Sequence, residues 1–389
     1  MVMMNSLKTT AMKLPVLCGI TALMTLGINT KAKAAIFYDI TDIGTLPGGS
    51  YNYANDINDA GQVVGFSNSS NGEIYGYVWS PSSGMTKLSG IPGSSYDNNA
   101  AYAINNVGQI AGGAPDNNQD ARAVLWNNSI YATNLGTFSG FYESSAQGIN
   151  DAGQVVGYAT TTDGRSRAFL WDKSSGMIDL GTLPGGNTSY ANAINDAGQV
   201  VGYSNTSSSL LAFLWDKSTG MINLGTLPGE EGSIANDIND VGQVAGYSIS
   251  SNGTQAFLWD ESSGMIDLGA LPNGENYTRA SAINDAGQVV GYSGNNAFVW
   301  SSNTGMIDLN ASIDPKLGWY LQTATAINNK GQIIGYGNNQ NGSTSAFLLT
   351  PKSAEPVPEP LTMGGTMLFG VGLAYMRRRQ HQLRRSSEN

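Results

Sequence analysis

The chain has 389 residues, with 19 Lys+Arg against 29 Asp+Glu, one histidine and one cysteine. The histidine, His381, falls in a basic tail, and Cys18 falls in an apolar leader, so the body between them has neither. That removes histidine-dependent triads, histidine-ligated metals, disulfides and thiolate nucleophiles from the functions open to it. Residues 35–356 hold 10 Lys+Arg against 27 Asp+Glu, a net charge of −17. So acidic a domain is a poor partner for nucleic acid or an anionic membrane, both of which need cationic patches.

The first segment, residues 1–34, reads as a secretory signal peptide. Lys8 and Lys13 precede an apolar stretch, Leu14 to Ile28, and Ala32-Lys33-Ala34 forms a small-x-small cleavage site after Ala34. As a membrane span the stretch is short of the roughly 20 residues a bilayer needs. Leu17 before Cys18 argues against a lipoprotein, which would place a small residue there.

From residue 35 to 350 the chain repeats itself. The marker is Ile-Asn-(Asp/Asn)-x-Gly-Gln, then a short apolar run and Gly-(Tyr/Phe/Gly). Its first glycine falls at Gly61, Gly108, Gly153, Gly198, Gly242, Gly287 and Gly331. Intervals of 44 to 47 residues mark one supersecondary unit per copy. In the fourth copy Ala191–Ile194 predicts a strand, and Asn195-Asp196-Ala197-Gly198 a type I turn closed by glycine at positive φ. Gln199–Ser204, Ala212–Trp215 and Met221–Leu227 predict three further strands, with a tight turn at Asp216–Gly220. Four hairpin-linked strands in about 45 residues make a β-propeller blade.

Ala212 and Leu214 face one way and Phe213 and Trp215 the other, so the sheet is apolar on both faces, as stacked blades require. Trp79, Trp126, Trp171, Trp215, Trp259 and Trp300 recur at one position and are expected to pack between blades. The seventh copy stops after its third strand, Ala346–Leu349. Its missing fourth matches the other end of the body, where Tyr38–Gly49 resembles Met177–Gly186. The expected fold is therefore all-β. It is a seven-bladed propeller whose last blade takes its outer strand from the N-terminal segment, with helical signal segments at both ends.

These repeats resemble the HAF-type extracellular repeat of bacteria over residues 37 to 350. Copy two departs from it at Trp126-Asn127-Asn128-Ser129, and copy seven lacks the tryptophan. The resemblance implies an exported repeat protein and carries no catalytic residues to transfer.

Residues 351–360 form a linker ending in Val357-Pro358-Glu359-Pro360. An apolar run from Leu361 to Met376 follows, then Arg377-Arg378-Arg379 and a polar tail to residue 389. Arginines after an apolar stretch stop transfer on the cytoplasmic side. The arrangement resembles the PEP-CTERM sorting signal of bacterial surface proteins. That resemblance implies processing near Pro358 by an exosortase-type membrane protease, with membrane contact only through this segment beforehand. A plain C-terminal anchor is the simpler alternative.

The topology sorts the loops. Both tight turns of a copy lie on one face of the disc, and the variable loops after strands two and four lie on the other, a common layout for binding. The variable loops carry Tyr51, Tyr53, Tyr96, Phe141, Tyr142, Tyr190, Tyr277, Trp319 and Tyr320. Carboxylates accompany them at Asp97, Glu143, Glu230, Glu231, Glu275 and Asp314. Aromatic faces beside acceptors suit a sugar ring, and they equally suit a plug for the channel mouth. No pair of carboxylates is singled out for the two-carboxylate chemistry of a glycosidase. The Asn-Asp-x-Gly turns offer few ligands for calcium. The reading is a non-enzymatic exported protein binding extracellular polysaccharide or a surface protein, with no cofactor, metal or catalytic residue assigned. The alternative is an exported carbohydrate-active hydrolase.

Overall fold

The computed structural model describes residues 38–127, 130–272, 274 and 276–352. Both signal segments and the Val357–Pro360 motif lie outside the described residues, as does Glu275. Seven four-stranded antiparallel sheets follow one another, six of them built from consecutive strands. The fourth blade runs Ser189–Ile194, Val200–Asn205, Leu210–Asp216 and Gly220–Gly225 from the axis outward. The seventh uses Tyr320–Ile327, Ile333–Asn338 and Thr344–Pro351, and takes Tyr38–Asp42 as its outermost strand. Tyr38 pairs with Pro351 and Asp42 with Phe347, so the two ends of the body are stapled into one sheet. Among the described residues no helix is long and apolar enough to cross a membrane.

The core lies between blades, as two-faced apolar strands demand. Ala168 and Leu170 of blade 3 pack on Phe213, Trp215 and Met221 of blade 4, and the same exchange recurs from each blade to the next. Phe169, Phe213, Phe257, Phe298 and Phe347 are fully buried in these seams. In blade 2 valine takes the phenylalanine position, and Trp126 swings over Gly112 to fill the space, its Nε1 donating to the Ser89 carbonyl.

The marker turn forms as the sequence predicts. In blade 4 the Gly198 N–H donates to the Asn195 carbonyl at 3.0 Å, and Gly198 holds φ +80°. One feature of the inner strands is not evident from apolar alternation. Each carries a register shift, between Ala191 and Ala193 in blade 4 and at the equivalent place in every other blade. Such a bulge inserts one residue and re-aims its neighbours, here toward the axis. It also brings the inner strand against the second: a Cβ on Gly202 would sit 1.9 Å from the Tyr190 carbonyl oxygen. Gly202→Ala is therefore expected to cost about 3 kcal/mol through overpacking, read as a lower urea midpoint at unchanged slope.

Candidate functional site

The seven inner strands enclose an axial channel, and its first mouth is built by the marker turns. Asn58 Nδ2 donates to the Asn105 carbonyl of the next blade at 3.1 Å. Asn105, Asn150, Asn195, Asn239, Asn284 and Asn328 repeat the bond, the last returning to the Asn58 carbonyl at 2.9 Å. All seven asparagines are buried, so each amide is committed to this ring. A second ring lies outside it. The Asp151 N–H donates to Asp196 Oδ1, Asp196 N–H to Asp240 Oδ1, and so on through Asn329 N–H to Asp59 Oδ1. The second turn residue thus clamps the preceding blade, and does not serve only its own turn. Five carboxylates stand in this ring. Burial, and then the charges of Asp196, Asp285 and Asp151, push the Asp240 carboxyl above the usual range.

The ring opens into a cavity of about 180 Å³ lined by Asp59, Asp151, Asp196, Asp240 and Asp285. A second cavity of about 170 Å³ is lined by the bulge residues, among them Asn55, Tyr102, Gln147, Asn192, Asn236 and Thr325. Several of these tie blades together, as when Asn192 Nδ2 donates to the Ala235 carbonyl at 2.7 Å. The following position is alanine or glycine in five blades and aspartate in two, Asp56 and Asp237. Asp56 accepts from the N–H groups of Ile57 and Ile104, Asp237 from those of Ile238 and Ile283. Neither has a cationic side chain as a partner among the described residues. Burial pushes the Asp56 carboxyl up to about 6 and the Asp237 carboxyl up to about 7, against the lowering effect of the N–H bonds. The charges of Asp56 and Asp285 add to the rise at Asp237.

The variable face divides the aromatic candidates into two sets. Tyr53 packs on Phe66 and Tyr336 with ring centres 5.3 Å apart in each case, and Tyr51 lies 5.9 Å from Tyr53. Tyr190 stacks on Tyr203 at 4.9 Å and meets Tyr158 edge-on at 4.8 Å. These half-buried rings form inter-blade belts in which second-strand tyrosines take part. The second set stands on the rim. Tyr96, Tyr142, Tyr277 and Tyr320 are 37%, 36%, 60% and 41% exposed. Gln119 Nε2 donates to the Tyr96 hydroxyl at 2.6 Å, and the Tyr320 hydroxyl donates to Asn296 Oδ1 at 2.7 Å. Glu143 stands beside Tyr142, its charge being the first cause of the rise in that phenol's pKa.

Other candidates have structural duties. Trp319 packs edge-on against Phe347, 6.2 Å between centres, and joins the core. Asp314 caps a short 3-10 helix by accepting from Lys316 N–H, and Asp97 pairs with Lys87 at 2.8 Å. The rim tyrosines belong to blades 2, 3, 6 and 7 and do not converge on one point. Asp56, Asp237 and the second-strand tyrosines were not singled out by loop variation. The signal that finds them is comparison of equivalent positions inside the strands.

A family described as a protein of unknown function (DUF3466) matches residues 128–231, a minority of the chain. No curated protein matches. Among solved structures, a puromycin-hydrolyzing peptidase of Mycobacterium tuberculosis aligns at 8% identity and TM-score 0.51, covering 79% of this chain and 54% of its own. TolB from Acinetobacter baumannii aligns at 12% and 0.43, covering 75% of this chain and 64% of its own. The β-propeller domain of the Trilobed protease from Pyrococcus furiosus aligns at 9% and 0.48, covering 81% and 98%. The chain thus spans only part of the peptidase and of TolB. What is shared at such identities is the propeller itself.

Proposed function

We propose that the protein is an exported, non-enzymatic component of the cell surface or extracellular matrix, and that its variable-loop face binds glycan or protein. On this reading the leader directs export. The Val357–Pro360 segment with Arg377, Arg378 and Arg379 is processed by an exosortase-type protease after transient anchoring in the inner membrane. The observation that carries the binding assignment is the set of four exposed rim tyrosines beside hydrogen-bonding neighbours. Phenol rings offer an apolar face with a polar edge at little entropic cost, which suits sugars and peptide surfaces alike. Probing a glycan array and a panel of surface-protein extracts tests the assignment. At least one of Tyr96→Ala, Tyr142→Ala and Tyr277→Ala is expected to weaken a bound ligand about tenfold, the level of an interface anchor, with the melting temperature unchanged. Equal binding by all three variants overturns it.

A hydrolase is the second reading, and one observation favours particular residues for it. Asp56 and Asp237 have the raised carboxyl values a general acid needs, and both line the axial cavity. Turnover of a polysaccharide panel that is lost in Asp237→Asn supports this reading against the first.

A further inference from the structure

We propose that a small cavity beneath the variable-face loops around blade 5 is a calcium site. It measures about 80 Å³ and is lined by Glu230, Ser250, Asn252, Thr254, Gln255 and Asn276, with Gly253 between them. Organic ligands occupy sites of roughly 300–1,000 Å³, so this space fits an ion and a few waters. Three separate loops meet there, entering blade 5, crossing its middle and leaving it for blade 6.

The pointer to a ligand is Glu230 Oε2, which is buried and has no hydrogen-bond partner. A buried carboxylate oxygen left unpartnered is costly enough that native proteins rarely keep one without a water or an ion. No ion pair reaches Glu230 among the described residues. Arg279, at the edge of the cavity, does not pair with Glu230: its guanidinium lies 4.4 Å over the Tyr247 ring and its Nε donates to Thr254 Oγ1 at 3.4 Å.

A second observation comes from the repeat. Glu230 occupies the position of Gly49 and Gly186 in the equivalent Leu-Pro-Gly-Gly loops. There a side chain has no room, since a Cβ would fall 2.1 Å from the Asn68 carbonyl oxygen or 2.0 Å from that of Asn205. Two other copies place Ser94 and Phe141 at this position, closing the same turn, and this copy alone of these loops places a carboxylate there, in a cavity otherwise lined by neutral polar residues. The lining offers carboxylate, hydroxyl, amide and backbone oxygens from three loops, a flexible set that suits Ca²⁺ better than Mg²⁺, which demands a near-ideal octahedron. With a single carboxylate the affinity falls in the range of extracellular modules, a Kd of about 10⁻⁴–10⁻³ M. Bound there, the ion would brace three loops of the binding face next to Tyr277.

Calorimetric titration of the purified, chelator-treated protein with CaCl₂ tests this independently of any glycan. One saturable site is expected, with a rise in melting temperature of about 3 °C at tenfold excess over Kd. Glu230→Gln keeps the shape and removes the charge, and should weaken Ca²⁺ at least tenfold while melting normally in chelator. Asp240→Asn, in the acidic ring at the other mouth, should leave the affinity intact. Absence of saturable binding, an equal response to NaCl at matched ionic strength, or undiminished affinity in Glu230→Gln each overturns the proposal.

Discussion

Removing Tyr38–Ile43 is expected to lower the melting temperature by roughly 10 °C and to make the protein aggregate on heating. The segment contributes a full antiparallel ladder against Phe347–Pro351, and the Ile43 N–H donates to the Ala346 carbonyl at 3.0 Å. Tyr38 and Ile43 are buried in the cluster that joins blades 7 and 1, and burial pushes the Tyr38 phenol up to about 12. Burying two such side chains stabilises by about 2 kcal/mol each, and the ladder adds more, giving about 5 kcal/mol in all. At about 2 °C per kcal/mol for a domain of this size, the shift follows. The Lys352–Asp39 ion pair at 3.0 Å is exposed, so Lys352→Ala should change stability by less than about 1 kcal/mol. Differential scanning calorimetry distinguishes the two. If the truncated protein melts with the intact one, the asparagine ring alone closes the disc.

The closure was legible before any coordinates, because Tyr38–Gly49 matches the fourth strand and loop of the other copies. So were the blade count, the four strands and the positive-φ glycines, since each rests on a local pattern that recurs seven times. The bulges were not. A one-residue shift between Ala191 and Ala193 leaves the apolar alternation of a short strand almost unchanged, yet it decides which side chains face the axis. For the same reason Asp56 and Asp237 read as ordinary strand residues although they line the cavity. The role of the second turn residue was half legible. Its type suits the turn, but its bond to the previous blade depends on where the ring places its neighbour. Trp319 reads as a loop aromatic and is half-buried, packed edge-on against Phe347 at the margin of the core.

The two axial aspartates give the protein an expected stability optimum on the acid side of neutrality. A carboxyl whose folded-state value exceeds its unfolded value binds more protons when folded, so stability falls as pH rises between the two. For Asp56 that window runs from the ordinary carboxyl range to about 6, and for Asp237 to about 7. The penalty is absent below about pH 4 and complete above about pH 7, on the order of a few kcal/mol for the pair. The turn aspartates act in the opposite sense. Bonds from Ser174 and Ser175 hold Asp172 well below the usual range, those from Ser262 and Ser263 do the same for Asp260, and Asp216 is lowered to about 2 by Ser218 and Thr219. Their contribution is present above the ordinary carboxyl range and is lost as pH falls through their folded-state values. Chemical denaturation should therefore show stability rising from pH 8 to about 5 and declining toward pH 3. Asp56→Ala with Asp237→Ala copies the residue that Ala193, Ala282 and Ala326 already place at this position. The double variant should flatten the slope between pH 5 and 8 while keeping the decline below 4. A slope that survives the double substitution would assign the effect to the acidic ring, where Asp240 is also raised.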